Sequence, residues 1–132
     1  MFNSLLQKIP GTRAFKEKEM ENELKIYLER VGCRIIQQHN LGFGITDIET
    51  DTHVYETKLF KDLHALYSAL GQVMCYSKYL KKMPIIVLDQ TNFLFITKNK
   101  PLIQIIVLYL GIRILKYDKD KRLFYELNEL RE

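Results

Sequence analysis

Gly44-Ile45-Thr46-Asp47-Ile48-Glu49-Thr50-Asp51-Thr52-His53-Val54-Tyr55-Glu56-Thr57-Lys58 is the stretch on which the fold of this chain turns. Gly44 to Thr50 and His53 to Phe60 read as two strands close enough to form a hairpin. Alternate side chains of a strand share a face, so Glu56 and Lys58 point the same way. With Asp51-Thr52 as a two-residue turn, Thr50 faces His53, and the same register sets Asp47 opposite Glu56. Directly opposed residues have Cβ atoms roughly 5 Å apart, where like charges are destabilising unless something neutralises them. A divalent cation is the natural neutraliser, and hard carboxylate oxygens suit Mg²⁺ or Mn²⁺. The spacing taken alone also suits a plain solvated strand face with Asp47 at a strand end.

Upstream, Met20, Leu24, Tyr27, Leu28 and Val31 recur at helical period, predicting a helix from about Thr12 to Val31 that stops at Gly32. Before it, Phe2, Leu5, Leu6 and Ile9 could form a short arm over residues 1–11, ended by the Pro10-Gly11 break. Cys33 to Gln37 reads as another strand. Downstream, Lys61 to Lys82 reads as a long helix, Ile85-Ile86-Val87-Leu88 as a buried central strand, and Asn92 to Thr97 as a further strand. Pro101 and Gly111 bracket Leu102 to Leu110 as a buried helix. Ile112 to Tyr117 and Leu123 to Leu127 flank a charged turn and look like a closing hairpin. The order predicts one α/β domain over residues 1–132, a central mixed β-sheet flanked by helices.

Two pieces of sequence carry a family resemblance. Gly44-Ile45-Thr46-Asp47, eight further residues, then Glu56-Thr57-Lys58 resembles the signature of the PD-(D/E)XK nuclease superfamily, with Thr46 where the signature has proline. Gln72 and Tyr76 in the long helix resemble the QxxxY motif of RecB-type and lambda-exonuclease-like members. On the helical wheel Leu63, Leu66, Tyr67, Leu70, Val73, Met74 and Ser77 gather on one side, and Gln72 and Tyr76 lie nearly opposite, off the core. The resemblance covers about residues 17 to 90. It implies a restriction-endonuclease-like fold and a metal-dependent DNA nuclease, read as an endonuclease. Asp47 and Glu56 would bind Mg²⁺ or Mn²⁺, Lys58 would assist attack by water, and Gln72 and Tyr76 would contact DNA. The superfamily commonly adds an acid from its first helix; among Glu17, Glu19, Glu21, Glu23 and Glu29, the expected metal-shell residue is Glu23, which flanks the apolar stripe. A domain this small would act as a homodimer or higher homo-oligomer, since two sites are needed to cut both strands.

The remaining composition narrows the field. A net charge of +4 and a pI near 9.0 suit a polyanionic partner. No apolar run reaches the length of a membrane span and no secretory leader is evident, so a soluble, cytoplasmic protein is expected. Cys33 and Cys75 lack metal-site spacing and read as buried free thiols. His39, His53 and His64 fall on different elements and read as structural or exposed. No P-loop or dinucleotide fingerprint occurs, so no nucleotide cofactor is expected. The competing reading is a non-catalytic DNA- or protein-binding module that keeps the nuclease fold.

Overall fold

The computed structural model describes residues 10–127, with side chains from residue 17 onward. The expected arm therefore lies almost wholly outside the described residues. Helix α1 (Pro10–Arg30) begins at Pro10 rather than after it. A first-turn proline has no hydrogen-bonding duty for its missing N–H, so Pro10 opens the helix instead of breaking the chain. Gly32, at φ 92°, ends it.

Six strands follow in one sheet, ordered β1-β2-β3-β4-β5-β6: β1 (Ile36–Gln37), β2 (Ile48–Glu49), β3 (His53–Lys58), β4 (Met83–Asp89), β5 (Arg113–Asp118) and β6 (Leu123–Glu126). The β1-β2, β2-β3 and β5-β6 pairs are antiparallel, while β3-β4 and β4-β5 are parallel. This is the mixed sheet the sequence predicts. The first two strands are shorter than expected because residues 38–47 leave the ladder to form a loop. The hairpin register holds: Ile48 pairs with Tyr55 and Glu49 with Val54, and Thr50 N–H donates to the His53 carbonyl at 2.9 Å across the Asp51-Thr52 turn.

Parallel neighbours need crossovers, and helix α2 (Leu63–Leu80) supplies the first. Asp62 caps it by accepting from Ala65 N–H at 2.9 Å, and Lys81, left-handed at φ 58°, closes it. The second crossover corrects the reading of Asn92 to Thr97 as a strand. Those residues belong to helix α3 (Gln90–Thr97), whose N-cap Asp89 accepts from Asn92 N–H at 2.9 Å. Asn92 is buried and bonds both backbone groups of Phe60, so it pins α3 to the end of β3. Helix α4 (Lys100–Gln104) runs into a π-helical turn at Ile105–Tyr109. Only Ile103 and Ile106 are buried along that stretch, whereas Ile105, Leu108, Tyr109 and Leu110 are exposed, so it is not the buried helix predicted.

Consecutive right-handed crossovers place both helices on the same sheet face. There Val54, Ile86, Leu88, Ile112 and Ile114 pack against Leu66, Ala69, Leu70, Val73 and Tyr76 of α2 and Ile96, Ile103 and Ile106 beyond. On the opposite face Met20, Leu24 and Leu28 of α1 cover Ile48, Tyr55, Ile85, Val87 and Tyr117. Strand β3 is thus buried on both faces from Val54 to Thr57, and the carboxyl of Glu56 is held in a desolvated setting. No helix among the described residues is long and apolar enough to cross a membrane.

Candidate active site

The chemistry gathers where β2 and β3 part. After Ile48 the ladder ends, and Asp47 fills the missing rung with its side chain: Oδ2 accepts from Thr57 N–H at 2.9 Å and from Thr57 Oγ1 at 3.0 Å. Thr46 N–H turns instead to the His39 carbonyl, at 3.0 Å. Beside Asp47, Glu56 points toward α2. It is buried, and its Oε1 has no hydrogen-bond partner among the described residues. Lys58, two residues along the same face, enters no ion pair among the described residues.

The electrostatics follow from that burial. Desolvation, opposed by the Thr57 backbone bond and helped by the charge of Glu21, lifts Asp47 from 3.8 to about 6. Glu56 is pushed from 4.5 to about 9, chiefly by burial and then by the charge of Asp47, with Lys58 acting the other way. The charge of Asp47 makes Glu56 harder to ionise, and Glu56 carries a buried oxygen with no hydrogen-bond partner among the described residues. Such a pair fits a hard divalent cation, whose charge offsets both penalties. Among the described residues no group of three or more His, Cys, Asp or Glu side chains converges on one point. Mg²⁺, which is commonly held by one or two carboxylates with waters and substrate phosphates filling the other positions, asks for no more than the pair.

The first-helix acid is corrected by the geometry. Glu17 and Glu21 act on Asp47 and Glu56, whereas the charge of Glu23 falls on Tyr117 across the α1 face. Glu17 Oε2 accepts from Leu59 N–H at 2.8 Å, just past the end of β3. Glu21 is buried and accepts from the side chains of Gln37 and Gln38, both at 3.0 Å. Glu23 is therefore not brought to the carboxylate pair.

Tyr76 also lies elsewhere than predicted. It is only 5% exposed and belongs to the core, because the loop of residues 38–47 covers the α2 face that a wheel assigns to solvent. Its hydroxyl lies within reach of the Ile45 backbone and feels the charges of Glu56 and Asp47. Gly44 makes this possible, since a Cβ there would stand 2.5 Å from the Tyr76 hydroxyl. Gly44→Ala is expected to destabilise the fold by about 1–3 kcal/mol, as overpacking does, read as a lower urea midpoint with an unchanged m-value. Gln72 is exposed, and with Phe43, Gly44, Ile45, Glu56, Ser68, Gly71, Cys75 and Tyr76 it lines a cleft of about 690 Å³ leading to Glu56. Cys75 is thus an exposed thiol rather than a buried one, and Cys33 is half-buried.

A buried latch that the sequence does not disclose fixes the loop. Glu49 is fully buried, yet it accepts from Lys82 Nζ at 2.8 Å and Thr46 Oγ1 at 3.0 Å, and it pairs with His39 Nδ1 at 2.8 Å. Burial alone would raise its pKa, but these bonds from Lys82, His39 and Thr46 hold it below its ordinary value. Both ends of the loop, at His39 and Thr46, are so tied to the sheet, and Asp47 follows directly. His53 lies on the other face, beside Tyr55, between Thr52 Oγ1 and Arg113 Nη1.

The fold and the site define an α/β domain with a mixed sheet and a buried carboxylate pair at a strand divergence. A crystal structure of an XisH family protein from Nostoc punctiforme is similar to it, with a TM-score of 0.63 over 83% of this chain and 98% of that one, at 18% identity. That likeness establishes the fold. No protein-family model matches the sequence, and no curated protein sequence does.

Proposed function

We propose that this chain is a Mg²⁺- or Mn²⁺-dependent deoxyribonuclease of the PD-(D/E)XK type. The observation that carries the reading is the buried Glu56 Oε1, unpartnered among the described residues, next to Asp47 and on the same strand face as Lys58. When bound, a divalent cation supplies charge neutralisation at a phosphate and lowers the pKa of a coordinated water. Asp47, whose Oδ2 is held by Thr57, and Glu56, whose Oε1 has no partner among the described residues, would hold the cation. Lys58 stabilises the negative charge that develops on the phosphate oxygens as the P–O bond breaks. Gln72, exposed in the cleft, hydrogen-bonds the DNA backbone, while Tyr76 acts through Gly44 and Ile45 by setting the cleft wall. Glu17 and Glu21 take the supporting place expected of Glu23, by adding negative charge beside the pair that favours a bound cation. A homodimer would bring two such sites to opposite strands of a duplex.

The test is incubation of the chain with plasmid, single-stranded and branched DNA, with and without Mg²⁺ or Mn²⁺, beside Asp47→Asn. Cleavage that needs the metal and disappears in the variant is expected. Cleavage that persists in Asp47→Asn would sink the assignment, and binding without any cleavage would favour the non-catalytic module.

A further inference from the structure

Phe43 lines the cleft and Tyr79 packs against it, two aromatic rings that neither the hydrophobic core nor the carboxylate chemistry uses. Phe43 is 56% exposed and Tyr79 63% exposed, with ring centroids 5.4 Å apart and planes at 82°. A perpendicular pair leaves at least one ring with its faces uncovered by the other. Phe43 also leans on Tyr76, at 6.0 Å and 40°, so it is braced from below. Its backbone sits in a tight turn in which Leu41 N–H donates to the Gly44 carbonyl at 2.8 Å and Gly42 N–H to Asn40 Oδ1 at 2.8 Å. That turn is held down by the Glu49 latch. Phe43 and Tyr79 together form an exposed aromatic patch, held by a braced turn and adjoining a cleft that is also lined by Glu56.

We infer that the cleft selects unpaired nucleotides, with Phe43 and Tyr79 as a stacking platform for a base whose phosphate lies at Asp47 and Glu56. The inference rests on the nuclease reading for the position of that phosphate and deepens it by naming the substrate class. Base faces are available only in a single strand or a frayed end, because in a duplex each base is already covered by its neighbours. Stacking on an aromatic ring tolerates any base, since each has a π-face. Cations for a polyanion stand nearby in the chain: Lys78 and Lys81 are exposed and flank Tyr79 in sequence, and Lys78 lies about one helical turn beyond Cys75 of the cleft wall. The cleft thus has a flat apolar ring, Phe43, at one side and Glu56 of the carboxylate pair in its lining, with Tyr79 against that ring and lysines next to Tyr79 in sequence.

The test uses the whole chain in EDTA, so that nothing is cut, with fluorescence anisotropy on a labelled oligothymidylate and on a duplex of equal length. Oligothymidylate is expected to bind the tighter of the two. Phe43→Ala is expected to weaken it roughly ten- to a hundredfold, the range that loss of one base–aromatic stack produces, while duplex binding moves less than about twofold. Phe43→Tyr, which keeps the ring, is expected to retain the preference. Oligothymidylate, and not duplex, is also expected to slow alkylation of the exposed Cys75. Equal loss on both nucleic acids, no loss in Phe43→Ala, or binding of neither would overturn the inference. An inactive chain that still shows a Phe43-dependent preference overturns the nuclease reading alone. An active chain whose strand preference ignores Phe43 overturns the stacking platform alone.

Discussion

Glu56→Gln is expected to become steadily more stable than its parent as pH rises from about 5 to about 9, even though it removes a metal ligand of the proposed reaction. The folded chain holds the Glu56 proton up to about 9, whereas the unfolded chain releases it at the ordinary 4.5. Over that window the folded state binds more protons than the unfolded one, so stability is full below the ordinary value and is lost as pH climbs through the raised one. Asp47 adds to the loss between 3.8 and about 6. A tenfold difference in proton affinity between the two states corresponds to about 1.4 kcal/mol, and glutamine cannot titrate, so the variant should gain about 3–5 kcal/mol on its parent across the window. In melting temperature that is roughly 10–20 °C for a chain of this size. Added Mg²⁺ is expected to raise the parent's melting temperature at alkaline pH and to raise the variant's less, because Glu56→Gln leaves Asp47 as the one ionised carboxylate of the pair. Parallel pH–stability curves for the two proteins would show that Glu56 is not held in the desolvated state described here.

That a residue should destabilise the fold when ionised and yet be required by the proposed reaction fits the place of the site in the fold. β3 lies between two apolar layers, with α1 on one side and α2 on the other, and a strand so placed would ordinarily carry only apolar side chains. Its neighbour β4 does, with Pro84 through Leu88 all buried. Glu56 interrupts that pattern on β3, and local rules tend to fail where function requires it.

The hairpin is legible because its register depends on a two-residue turn and strict alternation, both visible in the sequence. What is not legible depends on how elements lie against one another. The choice among the acids of α1 turns on which side of the helix meets the end of β3; Glu21 and Glu23 differ by two positions, about 200° of rotation, so only one of them can face the carboxylate pair. A wheel misplaces Tyr76 because it assigns one buried stripe to a helix, whereas α2 is buried on a second side by a loop with no periodic pattern. Gly42 and Gly44 flanking Phe43 hint that this loop packs closely, since Gly44 has no Cβ to strike Tyr76. Asn92 to Thr97 reads as a strand because Phe93-Leu94-Phe95-Ile96 is a short apolar run of ambiguous period. The capping pair Asp89 and Asn92 is the signal that decides for a helix. The Glu49 latch joins residues 39, 46, 49 and 82, a set that only the folded topology assembles.

Lys58→Ala is expected to lower Mg²⁺-dependent cleavage by about a hundred- to a thousandfold, the cost of losing one preorganised group from a developing anion. Unlike Asp47→Asn, it should leave the Mg²⁺-induced rise in melting temperature in place. An ammonium repels a cation, and the charge of Lys58 is a minor stabiliser of ionised Glu56 beside the larger effects of burial and Asp47. Its removal therefore takes away no ligand. The side chain is half-buried at the end of β3, its backbone registered against Leu88, and it enters no ion pair among the described residues that would explain its presence structurally. Lys58→Arg keeps the charge but replaces a compact ammonium with a longer planar fork, so it should restore only part of the activity. Measuring cleavage rate and metal-induced thermal shift on the same preparations separates the two roles. If Lys58→Ala cuts DNA at the parental rate, the lysine is a solvated strand residue; if it also loses the thermal shift, the residue holds the site together instead of acting on the phosphate.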